Sequence, residues 1–457
     1  VTASRHGPEP ASAGMRPIWR LAYPLMVAGL TQIVLNIVDT VMLARLSTRA
    51  LGAFALAAPI YLVALVIVRG WATAVQVQAA QHHGAGRTGD LARVVRTGVL
   101  TSAVAGTAVG ALLYVAATPL LTVLGGADEL IGPGTDYLRV LAFAVPFAAV
   151  SFTLQGACAG TGAARVSMYT ALLVNAVNLP LGLLLIFGAD LGVTGAAAAT
   201  LAATAAGTAY LLWYGRARLP RPPDGPAQTV QITRGLWRIG WPEMIAMGVG
   251  YLNEALLAGF AARMGTDDLA AYRIVDNLVL LLFTILTSAS TAITILAGQA
   301  LGAGHQDRAE AWRRAGLRLL GVLLLVPSAA VLLAGSPLIS LITSDGAVAD
   351  RAWSATPVAL LSMVTLLAAM AYGAVLRAAG DTRSVMLASV TGDYAALIPL
   401  AWLLGVYLGL GLPGLYLAWM AFGALYSLLL GRRYRRGART PVRARPTATP
   451  APEAEQR

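Results

Sequence analysis

The chain alternates long apolar stretches with short polar ones, and the apolar stretches are too long for the core of a soluble domain. Runs of about 18 or more residues with few charges predict transmembrane helices. Twelve such spans fall at roughly 19–44, 52–79, 94–117, 136–159, 166–188, 192–214, 239–262, 269–299, 312–334, 355–378, 384–408 and 413–431. None alternates polar and apolar residues over about ten positions, as the strands of a membrane barrel would. Helices and closed barrels are the structures that satisfy the backbone in lipid, so the pattern predicts an all-α integral membrane fold with twelve transmembrane helices.

The polar breaks divide the chain. The stretch "GRARLPRPPDGPAQTVQITRG", about 215–235, is rich in Pro and Arg and separates six spans from six. From Arg432 the sequence is basic, then rich in Pro and Ala, and is expected to be disordered. The expected units are an N-terminal segment 1–18, an N-lobe 19–214, a linker 215–238, a C-lobe 239–431 and a tail 432–457.

The two lobes read as duplicates. A shift of 218 residues lays Pro24 on Pro242, Leu51 on Leu269, and "QHHGAG" from Gln81 on "QALGAG" from Gln299. It also lays Gly162, Arg165 and Met168 on Gly380, Arg383 and Met386. Six spans are an even number, so both lobes insert the same way round. The expected relation is a pseudo-two-fold axis along the membrane normal, the parallel-repeat arrangement of transporters. A cavity between the lobes and alternating access follow from it.

Composition sharpens this picture. Hydrophobic residues make up 57% of the chain and charged residues 12%, with a mean hydropathy of +0.69. The net charge of +12 comes from 33 arginines and no lysine. In a soluble chain it would suggest nucleic acid; here the arginines lie in loops, so no nucleic-acid partner is expected. With both termini on one side, twenty-six arginines fall on that side and six on the other, with Arg69 inside a span. The positive-inside rule predicts cytoplasmic termini and a multi-pass plasma-membrane protein. No cleavable signal peptide is expected, because the first apolar run is too long for one. The single Cys158 can form no internal disulfide or Cys cluster and reads as a packing residue. No cofactor or metal is expected.

Glycine punctuates the loops. "GAG" ends spans two and eight, where a glycine at C′ closes a helix in the left-handed region without Cβ strain. No Gly-Lys-Ser/Thr follows, so a phosphate loop is disfavoured.

Five acids fall within spans: Asp39, Glu243, Glu254, Asp276 and Asp393. A charge at mid-bilayer costs about 2.5–3.5 kcal/mol even on the lenient insertion scale, so these residues are expected to face a cavity or a partner. Glu243 follows Pro242 and reads more simply as a favourable acid at a helix N-terminus. Asn36, Asn175 and Asn178 are the expected polar neighbours of Asp39. Arg69 either neutralises a buried acid or snorkels; pairing with Asp39 would oppose proton binding there. Tyr61, Trp71, Met247, Tyr251, Phe283 and Met370, with Arg69, are candidates to line the cavity between the lobes, because cations favour aromatic faces and methionines re-pack.

The combination of "VDTVMLARL", "QHHGAGRTGDLAR", its second copy "GQALGAGHQDRAEAWRRAG" and "GAVLRAAGDTRSVM" resembles the multidrug and toxic compound extrusion (MATE) family over about 16–431. The resemblance implies a monomeric efflux antiporter in the bilayer, exporting organic cations and amphiphilic drugs as protons or sodium ions flow inward. It places Asp39 on the family's first-helix aspartate, implicated in coupling. Burial favours the neutral form of a carboxyl group, so such a residue can take a proton outside and release it inside.

The chain departs from the family in three places. Asn178 is not followed by an aspartate, since position 182 is Gly182. A span-seven glutamate found elsewhere at the place of Gly250 is missing, and Glu254, one turn on, can stand in for it. Leu366 stands about where a span-ten aspartate belongs. These departures favour protons over sodium, and a C-lobe cluster of Glu254, Asp276 and Asp393 is expected to assist. A flippase for lipid-linked intermediates shares the architecture but needs several cavity cations, and only Arg69 lies within a span. An integral membrane enzyme lacks a catalytic constellation, since the four histidines lie in tails and loops.

Overall fold

The computed structural model describes residues 14–125, 127–219, 229–340 and 342–437. Residues 1–13, the centre of the linker and the tail beyond Gly437 lie outside the described residues, and so do the disorder expected of that tail and the positions of Arg5, Arg221 and the last tail arginines.

The N-lobe runs α1 (Met15–Leu46), α2 (Thr48–Gly84), α3 (Thr88–Val123), α4 (Asp128–Ala142), α5 (Ala144–Gly160), α6 (Arg165–Leu183, continued by a π-helical turn to Gly188) and α7 (Gly192–Arg218). The C-lobe runs α8 (Thr229–Met264), α9 (Thr266–Gly302), α10 (Gln306–Ala334), the short α11 (Pro337–Ser340), α12 (Gly346–Ala378) and α13 (Thr382–Gly392). A π-helical turn at Asp393–Leu397, α14 (Ile398–Leu400) and a second π-helical stretch at Ala401–Tyr407 extend α13, and α15 (Gly411–Gly437) closes the chain.

Eleven of these helices are long and apolar enough to cross a membrane, and α4 with α5 forms a twelfth span bent by 44°. The bend has a covalent cause. Pro146 carries no N–H for the carbonyl of Ala142, four residues back, and the helix breaks there. With twelve crossings both ends of the described chain, Gly14 and Gly437, lie on one face of the bundle, called the terminal face below.

Two differences from the expected spans matter. The linker is shorter than 215–238, because α7 runs on to Arg218 and α8 starts at Thr229. Glu243 is therefore well inside α8 rather than at its start. The second difference concerns the "GAG" turns. Gly86 and Gly304 sit at φ +69° and +82° and close α2 and α9 as left-handed caps. Their amides donate to the carbonyls of His83 and Leu301. Gly84 and Gly302 are still helical and do something else.

The two lobes embrace through their first two helices. In its terminal-face half, α1 buries Ile18, Ala22 and Met26 in the C-lobe core, with Leu286 and Ile293 of α9 and Leu320 of α10. Correspondingly, α8 buries Leu236 and Ile239 in the N-lobe core, with Val75, Leu154 and Leu211. Farther along, each helix returns to its own lobe. Met42 and Leu43 of α1 pack with Leu121, Leu138 and Ile186; Leu257 and Ala261 of α8 pack with Tyr272, Leu397 and Leu415.

At the terminal face the lobes are in backbone contact. A Cβ on Gly84 would collide with the carbonyl oxygen of Gln299, and one on Gly302 with that of Gln81. The Gln81 amide donates to the carbonyl of Ala378 at 2.7 Å, and the Gln299 amide to that of Gly160 at 2.8 Å. Each of these pairs is related by the same 218-residue offset. Farther along α8, a Cβ at Gly248 or Gly250 would meet no atom within 4 Å.

Candidate functional site

The five carboxyl groups inside the spans occupy four settings, and only Glu254 and Asp276 share one. In the N-lobe, Asp39 stands on α1, two turns from the opposite-face end at Leu46. Asn36 is exposed on the same side of the helix. Met42, one turn beyond Asp39, faces α6 at Gly182: a Cβ there would lie 3.5 Å from the Met42 sulfur and 4.0 Å from Asn178 Oδ1. Asp39 and Asn178 thus lie on facing sides of a packed helix pair. Asn178 is buried, donates through Nδ2 to Thr200 Oγ1 at 3.1 Å, and leaves Oδ1 without a partner. Asn175 instead donates to the carbonyl of Ala171 on its own helix, at 2.9 Å.

Asp39 has no ion-pair partner among the described residues. The Arg69 guanidinium stacks over Phe152, 5.4 Å from the ring centroid, and does not pair with Asp39. Tyr137 lies within the electrostatic reach of both Asp39 and Tyr61. Tyr61 is packed against the N-lobe core.

In the C-lobe, α8 and α9 form a hairpin about Gly265, and Glu254 and Asp276 sit eleven residues to either side of that turn. Their carboxyl groups are within hydrogen-bonding reach of each other. The Tyr272 hydroxyl donates to Glu254 Oε1 at 3.1 Å, and the exposed Arg273 comes within 3.8 Å of the same oxygen. Tyr416 stacks on Tyr272, and its buried hydroxyl has no partner. Two ionised carboxylates in contact repel, so a proton or a cation between them is the chemistry such a pair performs.

Asp393 does not join this pair. It is buried on the first π-helical residue after α13, and its carboxylate is in reach of Asn253, the neighbour of Glu254 on α8, and accepts from Ser389 at 3.5 Å. Glu243, read from sequence as a helix-start acid, is instead buried and accepts from Arg377 Nε at 2.8 Å.

The candidate cavity residues separate. Tyr251 and Phe283 are exposed, and Met247 is half-buried. Trp71 is buried in the seam against Trp237, and Met370 is buried in the C-lobe core; both are packing residues here. Leu366 is likewise buried in the C-lobe core.

Two six-helix lobes repeated in parallel, clasped at one face and carrying carboxyl groups inside their spans, define a two-lobed membrane transporter. The chain belongs to the MatE family, whose model matches residues 24–184 and 242–403, two copies whose starts are again 218 residues apart. The chain is 30% identical to a probable multidrug resistance protein NorM of Burkholderia mallei, over 95% of this chain and 94% of that one. It is 28% identical to the multidrug resistance protein PmpM of Pseudomonas aeruginosa, over 86% of this chain and 84% of that one. Among solved structures, a mutant of the Vibrio cholerae MATE transporter VcmN superposes with a TM-score of 0.88 at 20% identity, covering 93% of this chain and 97% of that one. A multidrug resistance MATE family transporter in an outward-facing conformation gives a TM-score of 0.86 at 18% identity, covering 93% and 96%. Members of this family are transporters, not enzymes.

Proposed function

We propose that this chain is a multidrug efflux transporter that exports organic cations and amphiphilic compounds by proton-coupled antiport. One observation carries the reading. The lobes are locked at the terminal face, while an unpaired carboxylate (Asp39) and a carboxyl pair (Glu254 and Asp276) lie in the half away from it. The names of its relatives, multidrug resistance proteins, support the substrate class.

The arginine distribution supports a cytoplasmic terminal face, with both termini cytoplasmic and the protein acting as a monomer in the plasma membrane. The substrate enters between α1, α8 and α9, against Tyr251, Phe283 and Met247, whose aromatic and thioether surfaces suit cationic amphiphiles. Protonation of Asp39 from outside releases the substrate and favours closure of the outer half. Deprotonation toward the cytoplasm resets the site. Such coupling requires only that the two states differ in proton affinity.

Protons are favoured over sodium because the oxygen ligands for a metal ion are thinned out. Gly182 puts no carboxylate beside Asn178, and Leu366 puts none in the C-lobe core. Arg69 stacks on Phe152, Arg377 is taken up by Glu243, and neither is a free anchor for a pyrophosphate head group, so a lipid flippase is not favoured.

The test is efflux of a fluorescent cation from vesicles with proton and sodium gradients imposed separately. Export driven by the proton gradient alone is expected. Export that needs sodium and survives collapse of the pH gradient would overturn the coupling assignment.

A further inference from the structure

Asp393 and its neighbours do a second job. Asp393 is 5% exposed, and Asn253 beside it 2%. The Asn253 amide is in reach of the Asp393 carboxylate, and its own carbonyl oxygen, Oδ1, is buried with no partner. A buried, unsatisfied amide oxygen is unfavourable, and here it belongs to the group that already holds a carboxylate. One proton repairs the defect. A carboxylic acid at Asp393 can donate its O–H to Asn253 Oδ1, while the amide N–H₂ keeps the other carboxyl oxygen as acceptor. The same asparagine therefore serves both protonation states of its neighbour.

The site is connected. Tyr426 of α15 lies in the electrostatic reach of both Asp393 and Arg377. Arg377 is paired with Glu243 and is 27% exposed at the terminal-face end of α12. The residue after it, Ala378, supplies the carbonyl that Gln81 of the other lobe grips. The polar chain thus starts deep in the C-lobe and ends at the lobe-to-lobe clasp. The groups facing Asp393 are Asn253 from α8, Ser389 from its own helix and Tyr426 from α15, with Arg377 of α12 and Glu243 of α8 beyond the tyrosine. The N-lobe has no counterpart: the 218-residue shift places Asn175, Thr208, Ala159 and Leu25 at the positions of Asp393, Tyr426, Arg377 and Glu243.

We propose that Asp393, with Asn253 as a partner for both of its protonation states, is a second proton-binding site, confined to the C-lobe and communicating with the cytoplasmic clasp through Tyr426, Arg377 and Glu243. Proton uptake converts the carboxylate to the acid, adds a hydrogen bond to Asn253 Oδ1, and removes a negative charge facing Tyr426. The Arg377–Glu243 pair, freed of that charge, is the element that can shift at Ala378 and ease the Gln81 contact. This deepens the proton-coupled reading above and rests on it.

The experiment counts protons released to a weakly buffered medium when a fluorescent organic cation binds the purified full-length protein. The wild type, Asp39→Asn, Asp393→Asn and the smaller replacement Asp393→Ser are compared. Each Asp393 variant should bind the cation and release fewer protons per cation bound than the wild type, by an amount additive with the loss in Asp39→Asn. Infrared difference spectra should show a carboxylic-acid carbonyl band that Asp393→Asn removes and that shifts in Asn253→Leu. Proton release and carbonyl bands unchanged in both Asp393 variants would overturn the second site while leaving the proton-coupled reading standing. Absence of any proton release from the wild type would sink the proton-coupled reading itself, a distinguishable outcome.

Discussion

Gln81 and Gln299 hold the two lobes together by the same act performed twice. Each ends a long helix, each donates its side-chain amide to a backbone carbonyl of the other lobe, and each has a glycine three residues on that lets the partner backbone in. The clasp is a property of the duplicated sequence and closes one face of the transporter.

Gly84→Ala and Gly302→Ala should therefore have matching effects. Either methyl group collides with a backbone carbonyl, which cannot swing aside as a side-chain tip can. Both variants should lose the population closed at the terminal face, read as longer spin-label distances across that face. Gln81→Leu removes one partly buried hydrogen bond worth about 1 kcal/mol, so it should shift the equilibrium only about fivefold. Unchanged distances in both glycine variants would mean that the clasp is not the closing element.

Asp39→Asn should abolish gradient-driven export while leaving substrate binding largely intact, because it keeps size and hydrogen bonding but cannot release a proton. Arg69→Gln should leave the pH dependence of transport in place, since Arg69 stacks on Phe152 rather than pairing with Asp39. A displaced pH profile in Arg69→Gln would show that the two meet during the cycle.

Tyr272→Phe deletes the hydroxyl that donates to Glu254. A hydrogen bond to a charged group is worth about 1.5–3 kcal/mol, and the half-exposed setting puts this one near the lower end. The variant should change the pH dependence of export more than its maximal rate. Asp276→Asn should reproduce the shift if the two carboxyl groups act as one unit, and an additive response of the double variant would separate them.

Glu243→Gln leaves Arg377 without its anionic partner in the C-lobe interior. Breaking a buried pair from one side costs about 3–5 kcal/mol; Arg377 is partly exposed, so roughly 2–3 kcal/mol is expected. Thermal unfolding in detergent should show a clear loss. A neutral result would mean that Tyr426 and water hold Arg377 unaided.

A cysteine placed in the 345–350 segment, with Cys158 buried and unreactive, should be labelled from outside intact cells. Protection there would reverse the orientation assigned from the arginines.

Much of this architecture was legible because lipid imposes length. The twelve spans and the 218-residue repeat stand in the apolar runs and glycines, and the structure keeps them. The break between α4 and α5 is not legible because Pro146 sits inside an otherwise continuous apolar run. The first turns of α8 were read as linker because Pro and Arg dominate 215–235, yet Thr229–Arg238 is helical, with Leu236 buried on the other lobe. Trp71 and Met370 show why cavity lining is hard to read. An aromatic or a methionine in a span looks the same whether its face meets an opening or another helix. The grouping of Glu254 with Asp276 did have a signal, since both lie eleven residues from the same turn, Gly265. The partner of Glu243 had none: 134 residues separate it from Arg377, and only the packed lobe brings them together.

The exchange of α1 and α8 between lobes has a consequence for how the molecule is held in one piece. Each half reaches into the other with its leading helix, so the peptide between Arg218 and Thr229 is not what keeps the halves together. Cleaved there, or synthesised as two separate chains, the halves should find each other in the bilayer and remain interlocked, like two hooks that need no cord between them. Neither half alone should be stable, because each would leave the greasy foot of its own first helix, and the slot meant for its partner's, unfilled.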